Sequence, residues 1–435
     1  MAPTFPRFMG RSSDIISGHQ EYLFPCVNVY YDDPVVITRG KMGRVCDADG
    51  REYIDFFGGI LTISVGHCNP EITDRVVAQM RELQHASTLY PTEPQVQLAK
   101  RLAGLTPGGL KKSFFTNSGT EANETAILLA QLFTDATDVI VLRHAYHGRS
   151  ALTMSMGGMA PWRVQRIPVG GISHAHAAYC YRCALGRSYP DCGVACASDV
   201  EELIQTATSG RIAAVIAEPI QGVGGYITPP PGYFEELVRI VRSHGGLFIC
   251  DEVQTGFGRT GKMFGIQHWN VEPDIMTFAK GLANGVPIGV TIAREDIADA
   301  FKGQSISTFG GNPVSATAAL ATLDYIEQKN LVENARIQGE RLRNHLLDLQ
   351  KKCPAIRDVR GLGLMQAIEF ASEDGTPLAD ETARAFEETR HQGLLLGRGG
   401  LYKNCLRIAP TLNVSAEDID ESMRILGQSL TALGG

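Results

Sequence analysis

Residues 245–261 read GGLFICDEVQTGFGRTG, an apolar run bounded by glycines that ends abruptly in the carboxylate Asp251. Such a run reads as a strand buried on both faces, the kind found in parallel sheets. Working outward, SFFT, VIVLR, IAAVIAEP, DIMTFAK and VPIGVTIAR follow the same style and alternate with helical patterns from Lys111 onward. That alternation predicts βαβ units and an α/β fold whose mostly parallel sheet is covered by helices. Upstream, VVITRGKMGRVCDADGREYIDFFGG reads as short strands with Asp-Ala-Asp-Gly as a hairpin turn. A helix is expected from Pro70 to Leu83, where Ile72, Val76, Val77 and Met80 recur at helical spacing. Beyond GGNP at 310–313 come long helical stretches to Leu349, strand-like VRGLGLMQAIEF, a helix near 380–391 and a last strand and helix, a smaller α+β domain. At 435 residues the chain exceeds the ~250–300 at which one core stops growing. The expected division is a segment 1–65 packing with the small domain, a large domain 66–310 and the small domain 311–435.

Composition narrows the function. With 44% hydrophobic and 20% charged residues, disordered, collagen-like and coiled-coil classes are excluded. A net charge of −7 argues against nucleic acid or an anionic membrane surface and for a small-molecule ligand. No apolar run approaches the ~18 residues that span a bilayer. The opening MAPTFPRFMGRSS lacks the apolar core of a signal peptide; its two arginines, with no acid before Asp14, faintly suggest a transit peptide, and a cytoplasmic protein is the expectation. Ten cysteines imply no disulfide framework, and Cys250 reads as a small core residue.

Ligands of open α/β sheets lie beyond the carboxyl ends of the strands, so the informative residues are sought there. In SFFTNSGTEANETAILLA (113–130), Ser118, Gly119 and Thr120 open a helix, where free amides and the positive dipole end suit a phosphate; an ordinary N-cap by Ser118 or Thr120 reads equally well. VLRHAYHGRS (141–150) ends a strand in Tyr146, His147, Gly148 and Arg149; the aromatic can stack on a planar cofactor and the arginine can take a carboxylate, or they are a core wall and a solvated charge. Asp251 at a buried strand end calls for a cationic partner such as a protonated ring nitrogen, unless it caps a helix. Lys280, in PDIMTFAKGLANG, ends the next strand-like run, and a desolvated lysine of lowered pKa is the usual Schiff-base former. Together these satisfy what a pyridoxal phosphate (PLP) site requires.

At this point the sequence resembles the class III PLP-dependent aminotransferases of fold type I. The resemblance runs from DADGREYIDFFGGI through NSGTEANE, YHGRS, AEPIQG, DEVQTGFGRTG, the Lys280 strand, STFGGNP and LRIAP. It implies that 66–310 is the PLP-binding domain and that Lys280 carries the cofactor and shuttles a proton. Asp251 is implied to hold the pyridine nitrogen protonated. Val253 packs on one ring face with Tyr146 or His147 on the other, Gln254 reaches the phenolic oxygen, and Ser118, Gly119 and Thr120 hold the phosphate. Thr308 resembles the residue that reaches the phosphate of a neighbouring subunit, which implies a homodimer with shared active sites; pairing into tetramers stays open. Arg407 in CLRIAP matches the arginine that binds the α-carboxylate, Glu218 a glutamate that pairs with it, and Arg149 an arginine that takes a distal carboxylate. GGLYKNCLRIAP and the CYRC insertion look closest to alanine–glyoxylate aminotransferase-2-like and ω-amino acid aminotransferases. The implied role in amino acid metabolism is transfer of an amino group from alanine, β-alanine, γ-aminobutyrate or another ω-amino acid to pyruvate, glyoxylate or 2-oxoglutarate, by a ping-pong route.

YCYRCALGRSYPDCGVAC sets Cys180, Cys183, Cys192 and Cys196 as C-x2-C and C-x3-C, a spacing that permits a structural zinc or simply reduced thiols. A PLP-dependent decarboxylase or racemase on the same scaffold is the alternative chemistry, since the bond cleaved depends on substrate orientation. A non-catalytic cofactor-binding regulator would lack Lys280 or Asp251, and an NAD enzyme would want G-x-G-x-x-G after the first strand with an acidic residue ~20 further on, for which no convincing match is found.

Overall fold

A computed structural model describes residues 12–431; the opening segment weighed as a leader falls largely outside them. Seven strands form the main sheet: β4 (Lys112–Thr116), β5 (Asp138–Leu142), β6 (Ile172–Ala175), β7 (Ile212–Ala217), β8 (Leu247–Asp251), β9 (Ile275–Phe278) and β10 (Gly289–Ala293). Their order is β4-β10-β9-β8-β7-β5-β6. All neighbours are parallel except β10, which is antiparallel to both β4 and β9. Every residue of β7, β8 and β9 is buried, as the continuous apolar runs require when helices cover both faces. β6 is the edge strand that the sequence reading passed over: ISHA is short, polar and only half-buried, so it carries no clear period.

The remaining strands form two smaller sheets. β1 (Ile37–Lys41), β2 (Arg44–Asp47) and β3 (Glu52–Asp55) make the expected meander around the 47–50 turn. Strand β3 pairs in parallel with β13 (Leu394–Leu395), so the N-terminal segment shares a sheet with the C-terminal third. VRGLGLMQAIEF folds as a hairpin of β11 (Ile356–Leu362) and β12 (Met365–Phe370), flanked by β15 (Cys405–Ile408) and β14 (Gly397–Gly399).

The expected helix forms over Pro70–Glu82, with Asn69 capping it. Of its apolar stripe Ile72 is buried, whereas Val77 and Met80 are exposed within the chain. The helix Pro313–Gln328 packs on Pro70–Glu82 and on Glu93–Leu105, so the first helix after residue 311 lies against the large domain.

Candidate active site

The parallel register sets the carboxyl ends of β7, β8 and β9 side by side and with them Glu218, Asp251 and Lys280. Asp251 stands opposite Thr277. It is 3% exposed, and its Oδ2 accepts from the Asn123 amide at 2.8 Å and from His147 Nδ1 at 2.7 Å, while Oδ1 accepts the Val253 N–H at 3.1 Å. Asn123 also donates to the His147 carbonyl and accepts from the Thr277 hydroxyl, pinning the helix, the 143–149 loop and β9 to one carboxylate. Asn123 and Thr277 were not foreseen. The available signal was a polar residue at an inward position of an otherwise alanine-rich helix face in TEANETA.

Burial pulls the His147 imidazole down, but the hydrogen bond and charge of Asp251, with Glu218, lift its pKa above the ordinary value. Asp251 thus favours the protonated form of His147, whose charge it would offset. Glu218 is pushed up to about 7, chiefly by burial and then by Asp251, against the lowering influence of His147 and of the N–H groups of Gly222 and Tyr146. Those N–H groups donate to it at 2.8 and 3.0 Å.

Lys280 follows β9 and opens a short 3₁₀ turn with a left-handed φ of 41°, a strained conformation for a non-glycine residue. It is partly exposed and makes no ion pair among the described residues. Desolvation lowers its pKa to about 8, overriding the opposite pull of Asp251 and Glu218. An amine so poised is part neutral near physiological pH and is a competent nucleophile.

At the start of the helix Gly119–Thr134, Ser118 Oγ accepts the Glu121 N–H at 3.2 Å, and the Glu121 carboxylate takes the Asn117 N–H. The amides of Gly119 and Thr120 have no intrahelical acceptor and stay open to an anion. Thus Ser118 is the N-cap of this helix, and capping leaves the neighbouring amides free, so the two readings are compatible. A Cβ on Gly119 would stand 3.0 Å from Val253, so the turn and the Val253 wall approach as closely as a glycine allows. Tyr146 is half-buried and meets the Trp162 ring edge-on at 5.2 Å.

Arg407 on β15 is 6% exposed and faces no carboxylate within 4 Å among the described residues. Its guanidinium donates to the carbonyls of Arg398 (3.0 Å) and Gly222 (3.3 Å) and lies over the rings of Phe57 (4.8 Å) and Tyr226 (5.7 Å). The ion pair with Glu218 that the resemblance implies is not formed: Glu218 accepts two backbone amides, and the Arg407 guanidinium is directed at the Arg398 and Gly222 carbonyls. Arg149 is exposed, and its backbone N–H rests on the Thr120 hydroxyl at 3.3 Å. Thr308 is exposed on a loop whose neighbour Ser307 touches Asn117.

Cys180, Cys183, Cys192 and Cys196 line one enclosed cavity. All are free, and among the described residues no three His, Cys, Asp or Glu side chains converge to hold a metal ion. The zinc arrangement that the spacing permits is therefore not formed. Burial instead lifts the Cys196 thiol to about 11, keeping it protonated as a small packing group.

These residues fit PLP. Gln254 Oε1 and His147 Nε2 are buried without a hydrogen-bond partner, Gly119 and Thr120 offer free amides, and Lys280 offers a desolvated amine.

The sequence profile of the family "aminotransferase class-III" matches residues 27–430. Alanine–glyoxylate aminotransferase 2 homolog 2, mitochondrial, of Arabidopsis thaliana is 40% identical over 436 residues, 99% of this chain and 90% of its own. Acetylornithine aminotransferase of Methanothermobacter thermautotrophicus is 36% identical over 97% of this chain and 100% of its own. Among solved structures, an amine transaminase from an uncultivated Pseudomonas species in its PLP-bound form superposes with a TM-score of 0.88 at 30% identity, over 100% of both chains. With the strand-end aspartate and lysine already in place, this agreement along the whole chain makes it a member of the class III aminotransferases, enzymes that move amino groups with the help of pyridoxal 5′-phosphate.

Proposed function

We propose that the enzyme transfers the amino group of alanine to glyoxylate, or that of a β- or ω-amino acid to pyruvate, the acceptor in each case being a monocarboxylic 2-oxo acid. The observation that carries this reading is Arg407, a buried guanidinium without a carboxylate partner. A buried cation left uncompensated is costly, and a substrate carboxylate supplies the missing charge in bidentate geometry. A second arginine for a distal carboxylate is less well prepared, since Arg149 is exposed and unburied by any pocket wall. That favours pyruvate and glyoxylate over 2-oxoglutarate.

In this reading Asp251, Ser118, Gly119, Thr120, Tyr146, Val253 and Gln254 hold the cofactor, and PLP when bound supplies the electron sink for negative charge at the substrate α-carbon. His147, hydrogen-bonded to the carboxylate, orients Asp251 with Asn123. Lys280 Nζ, with its pKa near 8, takes and returns the proton at the reacting carbon. Glu218, near 7, sets how much negative charge faces Lys280. Two copies complete the sites: Leu89, Tyr90, Val96, Ile306 and Phe309 are exposed beside the loop of Thr308, a patch that a second chain would cover. Ten free cysteines favour the reducing cytoplasm.

The test is a half-reaction screen of the PLP-loaded enzyme with alanine, β-alanine and γ-aminobutyrate, then of the aminated enzyme with each oxo acid, followed by cofactor absorbance. Alanine should convert the cofactor fastest and pyruvate or glyoxylate should restore it. A higher kcat/KM for 2-oxoglutarate overturns the acceptor assignment, and CO2 release or loss of optical activity without conversion would move the enzyme to decarboxylase or racemase chemistry.

A further inference from the structure

The insertion that carries the four cysteines does more than fill space. Its Tyr179 hydroxyl and Arg182 Nε both donate to the carboxylate of Glu369, which lies on β12 with a fully buried side chain. Glu369 also accepts from Arg360 NH1 at 2.7 Å and from the Asn404 amide at 3.1 Å. Arg360 lies 4.9 Å from the Tyr179 ring centroid and donates through Nε to the carbonyl of Gly225 at 2.7 Å. Gly225 has a φ of +95°, and a Cβ there would stand 2.9 Å from both Arg360 and Cys405. It belongs to the 218–226 loop, and its N–H closes a turn on the Gly222 carbonyl that also accepts from Arg407. The Gly222 N–H is in turn held by Glu218. Asn404 stands three residues before Arg407 on the same strand approach.

We propose that Tyr179, Arg182, Glu369 and Arg360 form a brace that fixes the 218–226 loop and Arg407 relative to each other, and so sets the enzyme's affinity for substrate carboxylates. They are positioning residues, and the inference rests on Arg407 as the carboxylate receptor. Two features carry it. The brace joins the insertion, the β11–β12 hairpin, β15 and the loop after β7 through one buried carboxylate with four donors. Arg360 reaches the loop behind Glu218 at the Gly225 carbonyl, and Asn404 joins Glu369 to the strand of Arg407, while other contacts, such as Arg182 to the Gly375 carbonyl and Arg360 to Asp358, anchor the brace within the small domain; none is made to Lys280, Asp251 or the helix start at Gly119. A buried carboxylate among several fixed donors has one favoured geometry, so slack introduced at Tyr179 or Arg182 is passed to the loop.

The variants are Tyr179→Phe, which deletes one hydroxyl, and Arg182→Met, which keeps the length of the side chain at a partly exposed site. Arg407→Met serves as the reference. PLP-loaded enzyme is titrated calorimetrically with propanoate, which has the carboxylate and carbon skeleton of alanine without the amine. PLP affinity and steady-state constants for alanine are measured alongside. Each brace variant should weaken propanoate and raise KM for alanine about tenfold, with kcat and PLP affinity within about threefold of the parent. Propanoate binding unchanged in both variants overturns the proposal while leaving Arg407 in its role. Equal losses in PLP affinity and propanoate binding also overturn it, by making the cluster a general structural support. Undiminished propanoate binding in Arg407→Met removes the carboxylate receptor itself, and the brace falls with it.

Discussion

Replacing Lys280 by Met should make the cofactor-free protein more stable at neutral pH. The lysine is desolvated in the folded chain, and its pKa falls from 10.5 to about 8. At 1.36 kcal/mol per pH unit that fall corresponds to about 3 kcal/mol of penalty for holding the charged amine in the site. The sign follows from proton counting. Below about pH 8 the lysine is protonated in both states and the whole penalty is present. Between about 8 and 10.5 the unfolded chain binds more protons than the folded one, so stability rises with pH; above 10.5 both are neutral and the penalty is gone. Methionine carries no charge at any pH, so the advantage of Lys280→Met should be about 3 kcal/mol at pH 7 and fade between pH 8 and 10.5. The assay is urea unfolding of both apo-proteins at matched protein concentration from pH 6.5 to 10.5, with the difference in midpoints followed as the readout. A variant no more stable than the parent at pH 7, or an advantage independent of pH, would refute a desolvated amine in the cleft. The same amine predicts that the apo-protein takes up PLP faster as pH rises through about 8, since the neutral form is the nucleophile.

Three further outcomes follow from the site. Relative to the parent, Glu218→Gln should gain about 3 kcal/mol of stability as pH rises from 4.5 to 7, because a carboxyl raised from 4.5 to about 7 disfavours folding once ionised, on top of a pH-independent loss from the one N–H, of Gly222 or Tyr146, that a single amide oxygen does not accept; pH-resolved melting curves check it. Asn123→Leu leaves Asp251 and Thr277 each short of a buried hydrogen bond, so stability should fall by about 1–3 kcal/mol and PLP should dissociate faster, read from the decay of cofactor absorbance on dilution. Gly119→Val crowds Val253, 3.0 Å from the added Cβ, and should weaken PLP retention at least about tenfold while circular dichroism stays unchanged; normal retention would show that the helix start does not hold the phosphate.

Much of the frame was open to reading from the chain. The runs that became β7, β8 and β9 are buried at every residue and largely apolar, while β5 keeps an apolar stretch of three or more positions, β10 a β-branched core and β4 the paired phenylalanines of SFFT, so the strands stand out from the helical patterns between them. β6 escaped because an edge strand needs no such run. The stripe Ile72, Val76, Val77 and Met80 announced its helix correctly, but half of it is exposed within one chain: periodicity reports that a face is apolar without saying what covers it. The cysteine spacing permitted a metal because spacing is a one-dimensional quantity; the path of the chain between the pairs decides whether thiols converge, and here they line a wall.

The sequence by itself determined the chemistry. An acid closing one buried strand and a lysine closing the next leave few cofactors that satisfy both, because each ionisable group at a desolvated strand end needs its own partner. Only the tertiary structure decided how those groups are tuned. Asn123 and His147 reach Asp251 from a helix and a loop far away in the chain, Glu218 spends its oxygens on two backbone amides instead of on Arg407, and Arg407 is left a buried cation awaiting a carboxylate. Hydrogen-bond partners and desolvation are properties of three-dimensional neighbours, and no spacing along the chain encodes which of several candidate acceptors a donor will meet.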